Sequence, residues 1–160
     1  MTTLTDRGEV VTFLPSSSGA VVRDVDIVGG YTIAVAFRGA NNASLIGATV
    51  RGSGEVAVLV ESSRAVTIAS CDIINAGQRT PRLGDGILLV SSLDVLVTDN
   101  TIRGCRSSGV HVTKGSRVVT IQRNVIANGG RGISLGSDHP QTRLIEPINY
   151  LQDDSDTCTW

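Results

Sequence analysis

One apolar pattern returns along this chain every 23 residues, and it restricts the fold more than any other feature. Paired positions two residues apart occur at Thr12/Leu14, Val35/Phe37, Val58/Val60, Ile87/Leu89, Val110/Val112 and Ile133/Leu135, with starts separated by 23, 23, 29, 23 and 23 residues. A second column runs through Val22, Leu45, Ile68, Val97 and Ile121, and a third through Ile27, Val50, Ile73, Ile102 and Ile126. Both show the same steps of 23, 23 and 29 residues and then one of 24. Three columns that share one period and one interruption mark a structural repeat. Within each repeat the apolar spacing is two rather than 3.6, and β-branched residues crowd the runs, so the elements are strands and not helices.

A unit of three short strands cannot bury its apolar side alone. Stacked at about 4.8 Å per layer, each strand pairs with its equivalent above and below, and the columns become continuous stripes inside a tube. The expected fold is therefore all-β: one chain wound into a right-handed parallel β-helix of about six rungs, with three short strands per rung. The coil is expected over 1–145, with a partial sixth rung through Leu144, and 146–160 as an irregular tail whose acidic part from Gln152 onward caps the open end. Asn100 and Asn124 share one turn position and are expected to hydrogen-bond along the stack. Earlier rungs place Val25, Ala48 and Cys71 there, so Cys71 is expected to be a small buried filler. The six extra residues of the long step lie in Asn75–Gly84 and should protrude from the third turn.

Composition removes several function classes. Fourteen basic residues against fifteen acidic ones give a net charge of -1, so no basic field exists to hold a nucleic-acid backbone. The segment MTTLTDRGEV lacks the charged and apolar regions of a signal peptide, and no apolar run approaches the roughly 20 residues that span a bilayer. The expected location is cytoplasmic or virion, with no membrane partner. Cys71, Cys105 and Cys158 are an odd set without CxxC spacing and read as reduced thiols. Neither His111 nor His139 has ligands at zinc spacing. GGRGISLGS (Gly129–Ser137) has Ser134 where a calcium β-roll needs Asp. No metal or cofactor is expected.

GILLVSSLDVLVTDNTI and GVHVTKGSRVVTIQRNVI resemble the parallel β-helix repeats of the pectate-lyase-like superfamily, which includes pectate lyases, polygalacturonases, alginate epimerases and phage tailspikes. The resemblance covers roughly residues 8 to 136. It implies carbohydrate work in a groove along the sheet formed by the first strand of each rung. It also implies where a polygalacturonase would keep its acids. Asp85 in GDGI matches the first Asp of that set. Arg106 and Ser107 stand where the acidic pair would be, and Arg131 replaces the His. The row through Asp85 reads Val10, Ile33, Val56, Asp85, Ser108, Arg131, without a second carboxylate at the 5–9.5 Å that glycosidases require, and Glu61 lies five residues off along the strand. If the chain is an enzyme, a lyase or epimerase is expected rather than a glycoside hydrolase.

Elimination next to a sugar carboxylate needs a base and a cation that neutralises that carboxylate. Asp85, Arg106, His111 and Arg131 form the candidate catalytic set, and Arg79, Arg82 and Lys114 the candidate substrate contacts. The competing reading is that these are solvated turn residues. Asp138–His139–Pro140 is reminiscent of the Asp-Pro-His run of alginate epimerases in scrambled order and reads as a turn. Leu59, Leu88, Val90, Leu96, Ile74 and Val28 fall at outward positions, which suits a homo-oligomer, and the tailspike resemblance implies a trimer. Aromatics are scarce; only Phe13, Tyr31 and Phe37 fall near the first sheet, which argues against a sugar-stacking platform. Two rivals to a module that acts on or binds an acidic poly- or oligosaccharide therefore stand: a non-catalytic oligomeric part of a phage tail spike or fibre, and a cytosolic biosynthetic enzyme for a small molecule.

Overall fold

The computed structural model of the chain describes residues 9–30, 32–79, 83–113, 115–127, 129–136, 142–144 and 150–152. They form three parallel sheets of six strands each, wound as a right-handed β-helix. The first sheet holds Glu9–Phe13, Ile33–Arg38, Val56–Glu61, Ile87–Val90, Ser108–Thr113 and Arg131–Leu135. Each strand pairs with its equivalent one turn on, so Val58 meets Ile87, Ile87 meets Val110, and Val110 meets Ile133. The second column stacks Val22, Leu45, Ile68, Val97 and Ile121 in register, and the third stacks Ile27, Val50, Ile73, Ile102 and Ile126. Most of these side chains are fully buried in one core cluster, because three sheets facing inward leave no route for water.

The first rung departs from the expected register by one residue. Val11 pairs with Val35 and Phe13 with Phe37, so the inward pair is Val11/Phe13 and not Thr12/Leu14. Leu14 is exposed. The turn from Phe13 to Val22 holds one residue more than the turn from Phe37 to Leu45, and a short 3-10 turn at Pro15–Ser17 absorbs it. The run Val10–Leu14 is apolar enough to satisfy either phase, which is why periodicity alone cannot choose. Phe13 and Phe37 stack inside the tube with ring centroids 4.2 Å apart and planes 6° from parallel. Neither ring is available to a sugar; Tyr31 lies outside the described residues.

Polar ladders lock the corners. Asn124 Oδ1 accepts from the Asn100 backbone N–H at 3.0 Å and from Asn100 Nδ2 at 2.9 Å, while Asn100 Oδ1 accepts from the Cys71 N–H at 2.9 Å. This is the expected Asn stack. A second ladder, which periodicity did not flag, runs along another corner, where Ser63, Ser92 and Ser116 each accept the N–H of the residue one rung earlier. Left-handed backbone also stacks: Asp24, Gly47, Ser70, Asp99 and Arg123 share one turn position with φ of 55, 64, 55, 57 and 51°. Val118 holds φ of 53° at another corner, an unfavourable state for a β-branched residue.

The insertion leaves from the third turn, as expected. Its neck is pinched by two glycines: a Cβ on Gly77 would lie 2.6 Å from Gly84 Cα. At the C-terminal end Thr142–Leu144 extends the second sheet, and Tyr150–Gln152 extends the third, beyond the boundary at 145 that the fading pattern implied. Of the outward apolar residues, Val28 is 70% exposed. Leu59, with Ala36 and Val56, is instead buried without belonging to the inner core cluster, so part of the outer apolar surface is already covered within one chain.

Candidate functional site

The site is built by a break in the in–out alternation of the first sheet. A Cβ on Gly86 would meet Ile102 Cγ2 at 2.7 Å, and one on Gly109 would meet Ile126 Cγ2 at 2.4 Å, so both glycines face the core. Ile87 and Val110 follow them inward. Two successive inward positions turn the preceding residues, Asp85 and Ser108, to the outer side. Only glycine fits there, because any side chain would collide with the third sheet.

Asp85 lies one rung before Ser108, which in turn pairs with Arg131. The row reads Glu9, Ile33, Val56, Asp85, Ser108, Arg131; the shifted first rung puts Glu9 in the place expected for Val10. Glu9 is three rungs from Asp85, or about 14 Å at about 4.8 Å per rung, which is too far for a glycosidase carboxylate pair.

His111 stands between fully buried Val110 and Val112 and faces outward. Its Nδ1 lies 3.1 Å from Asp85 Oδ2. The Asp85 side chain is 3% exposed and the imidazole 29%. Asp85 Oδ1 is buried and has no hydrogen-bond partner among the described residues. An ionised carboxylate on Nδ1 selects the tautomer that carries its hydrogen there and leaves the Nε2 lone pair free. The arrangement can therefore orient a base and stabilise the imidazolium that forms when the base takes a proton.

The other expected residues are dispersed around this pair. Arg131 is exposed, and its backbone N–H donates to Ser107 O at 2.8 Å. Arg106 is exposed at the loop neck, its Cβ packed against Gly84. Arg79 is anchored through its N–H to Gly54 O at 2.9 Å, over the preceding turn. Arg82, Lys114 and His139 lie outside the described residues. Cys71 is free and buried, as expected of a small filler, and Cys105 is free and buried as well; Cys158 lies outside the described residues. Burial pushes the Cys71 thiol up and carries the Cys105 thiol to about 12, with the Asp85 charge adding to the latter, so neither is a nucleophile.

Sequence reasoning missed a second outward cluster. Glu9 Oε1 accepts from Arg38 Nε at 2.9 Å and Nη2 at 2.6 Å, Oε2 accepts from Thr12 Oγ1 at 2.7 Å, and Arg38 also bridges to Glu61. Only the correct first-rung register brings Glu9 and Arg38 together.

This fold recurs in solved structures. Tailspike protein 2 of an Escherichia coli O157:H7 bacteriophage is similar with a TM-score of 0.68 and 13% identity, over 94% of this chain and 23% of that one. The A-module of mannuronan C-5 epimerase from Azotobacter vinelandii has a TM-score of 0.50 at 14% identity, over 95% and 54% of the two chains. An alginate lyase from a Paenibacillus species has a TM-score of 0.50 at 10% identity, over 83% and 71%. The chain spans about a quarter of the tailspike's length. No curated protein matches the sequence. Residues 4–146 match the family described as right handed beta helix region. The 23-residue period, the three stacked sheets and that match together place this chain in the right-handed β-helix family.

Proposed function

We propose that this chain acts on an acidic poly- or oligosaccharide along the outer face of the first sheet, by removing the proton next to the sugar carboxylate. The observation that carries this reading is the buried Asp85 carboxylate on His111 Nδ1 at 3.1 Å. His111 Nε2 is the base. Asp85 is a positioning residue that holds the ring and stabilises the imidazolium. Arg131 and Arg106 offer guanidinium groups that pair with the sugar carboxylate and make the adjacent carbanion accessible. The C–H bond breaks and its proton passes to His111; its electron pair then either forms a C=C bond as the neighbouring glycosidic C–O bond breaks, the oxygen leaving with the proton from His111 and the unsaturated end remaining on the sugar, or takes a proton from water on the opposite face. The first outcome is a lyase reaction and the second an epimerase reaction. Arg79, Arg82 and Lys114 are assigned as outer substrate contacts. The epimerase and lyase with this fold lend support by analogy only.

The test is incubation with alginate, pectin and capsular glycans, followed at about 235 nm for new unsaturated ends and by NMR for inverted sugar centres. His111→Ala should lower turnover by about 10²–10⁴, and Arg131→Ala should raise KM for the acidic polymer. No product and no shift in melting with any of these polymers would sink the reading.

A second reading is a non-catalytic part of a homo-oligomeric spike or fibre. Exposed apolar Val28 and Val21, at 70% and 52%, favour it, as does the likeness to a tailspike. A stable monomer in sedimentation would remove it.

A further inference from the structure

Three consecutive rungs of the outer face carry, in order, a buried carboxylate, an imidazole and a hydroxyl. His111 is the in-register partner of Ser134 on the following strand and of Leu88 on the preceding one. Asp85 belongs to the preceding rung and holds His111 Nδ1. The two nitrogens of an imidazole point to opposite sides of the ring. With Nδ1 committed to the rung before, Nε2 is directed away from it, on the side of the rung that carries Ser134. Neighbouring strands are about 4.8 Å apart, and Ser134 is the hydroxyl-bearing residue in register with His111 on that side. Ser134 is half-buried and so open to a ligand.

We propose that Ser134, His111 and Asp85 form a nucleophile–base–acid relay that cleaves carboxylic esters, with O-acyl groups on a sugar as the substrate class. Of the two contacts that define such relays, which are recognised by roles and not by chain order or fold, Asp85 on His111 Nδ1 is formed, and Ser134 is the in-register neighbour of His111 without a hydrogen bond to it. Asp85 commits one oxygen to the ring while the other has no described partner, so its charge is directed at the imidazolium when it forms. Arg131, exposed three residues before Ser134 on the same strand, is the positive charge assigned to the developing oxyanion.

The step balances without any further reactant than water. Ser134 Oγ bonds to the ester carbonyl carbon as its proton passes to His111 Nε2. The bond from that carbon to the sugar oxygen breaks, and the sugar hydroxyl leaves with the proton from His111. Water then attacks the acyl-serine, again giving its proton to His111, and the carboxylic acid departs with Ser134 restored. This inference goes beyond the elimination reading and shares Asp85, His111 and Arg131 with it, Arg131 in a different role. Elimination has no use for Ser134.

The experiment uses the full chain, a fluorophosphonate probe with peptide mass mapping, and acetate release from chemically acetylated alginate. Wild type should be labelled at Ser134 and should release acetate. Ser134→Ala, a surface change that keeps the fold, should lose the label and slow acetate release by roughly a hundredfold or more. The same variant should keep its signal at 235 nm, which separates failure of this proposal from failure of the elimination reading. Asp85→Asn should lose both label and acetate release. Absence of label at Ser134, or full acetate release by Ser134→Ala, overturns the proposal.

Discussion

The outer face of the first sheet carries two buried carboxylates, one in its first rung and one in its fourth, and the two are treated differently. Glu9 and Asp85 occupy the same row, each is 2% exposed, and each meets a basic side chain from the next rung. Glu9 has both oxygens engaged, one by Arg38 and the other by Thr12, and Arg38 is held again by Glu61. Its partner is permanently charged. Asp85 has one oxygen engaged and one without a described partner, and its own partner is an imidazole that can gain or lose a proton. A closed network of fixed charge holds structure together. An open pair with a transferable proton leaves capacity for a ligand. The same position in the repeat is thus closed in the first rung and open in the fourth, and the difference lies in whether the last hydrogen bond is satisfied from within.

Substitutions at the two carboxylates should separate these roles. The largest effect is expected on turnover: Asp85→Asn should lower it by about 10²–10⁴, whereas Glu9→Gln should leave it unchanged in initial-rate assays on acidic glycans. Equal losses in both would break the comparison. On stability the ranking reverses. Glu9→Ala leaves Arg38 without its buried partner and should cost about 3 kcal/mol, the low end for a broken buried pair because Arg38 keeps Glu61. Asp85→Asn should change unfolding in urea by less than about 1 kcal/mol, since one oxygen is already unsatisfied.

Inside the tube, in the same rung as Asp85, Asn100→Ala strands the Cys71 N–H and the Ile68 carbonyl and should cost about 2 kcal/mol, with no specific effect on turnover. Val118→Asn relieves a β-branched residue at φ of 53° and should stabilise by about 1 kcal/mol, read as a higher midpoint in denaturant with turnover unchanged. The smallest effect is expected in acid at the exposed pair of Arg123 and Asp99. Hydrogen bonds from Arg123 and Thr98 hold the Asp99 carboxyl down to about 2. A depressed folded value means that the contribution is present above the ordinary carboxylate value of about 4 and is lost as pH falls through about 2. Asp99→Asn should therefore flatten the acid limb of the melting profile slightly without touching either buried carboxylate.

Much of this was legible before any coordinates. The second and third columns, the Asn100–Asn124 stack, the third-turn exit of the Asn75–Gly84 insertion and the outward His111 all follow from the period. A repeat must place equivalent residues in equivalent surroundings, and an apolar residue that recurs at one position can only be facing the same interior. Of the candidate residues, Asp85 and Arg131 fall in one row for the same reason, whereas the contact of Asp85 with His111 does not follow from the period. The first rung was misread because its apolar run fits two phases and its turn is one residue longer. That single shift hid Glu9 and its pairing with Arg38.

What the sequence determined on its own is the stacking: a 23-residue period of apolar pairs has no other way to keep every column out of water. What the tertiary structure alone decided is which polar groups touch. Asp85 and His111 are 26 residues apart and sit at positions that strict alternation would keep on different faces. Two successive inward positions, Gly86 and Ile87 here as Ala57 and Val58 one rung earlier, break that alternation and bring the carboxylate round to the imidazole. Periodicity carries the average environment of a position, whereas a hydrogen bond depends on a local departure from it.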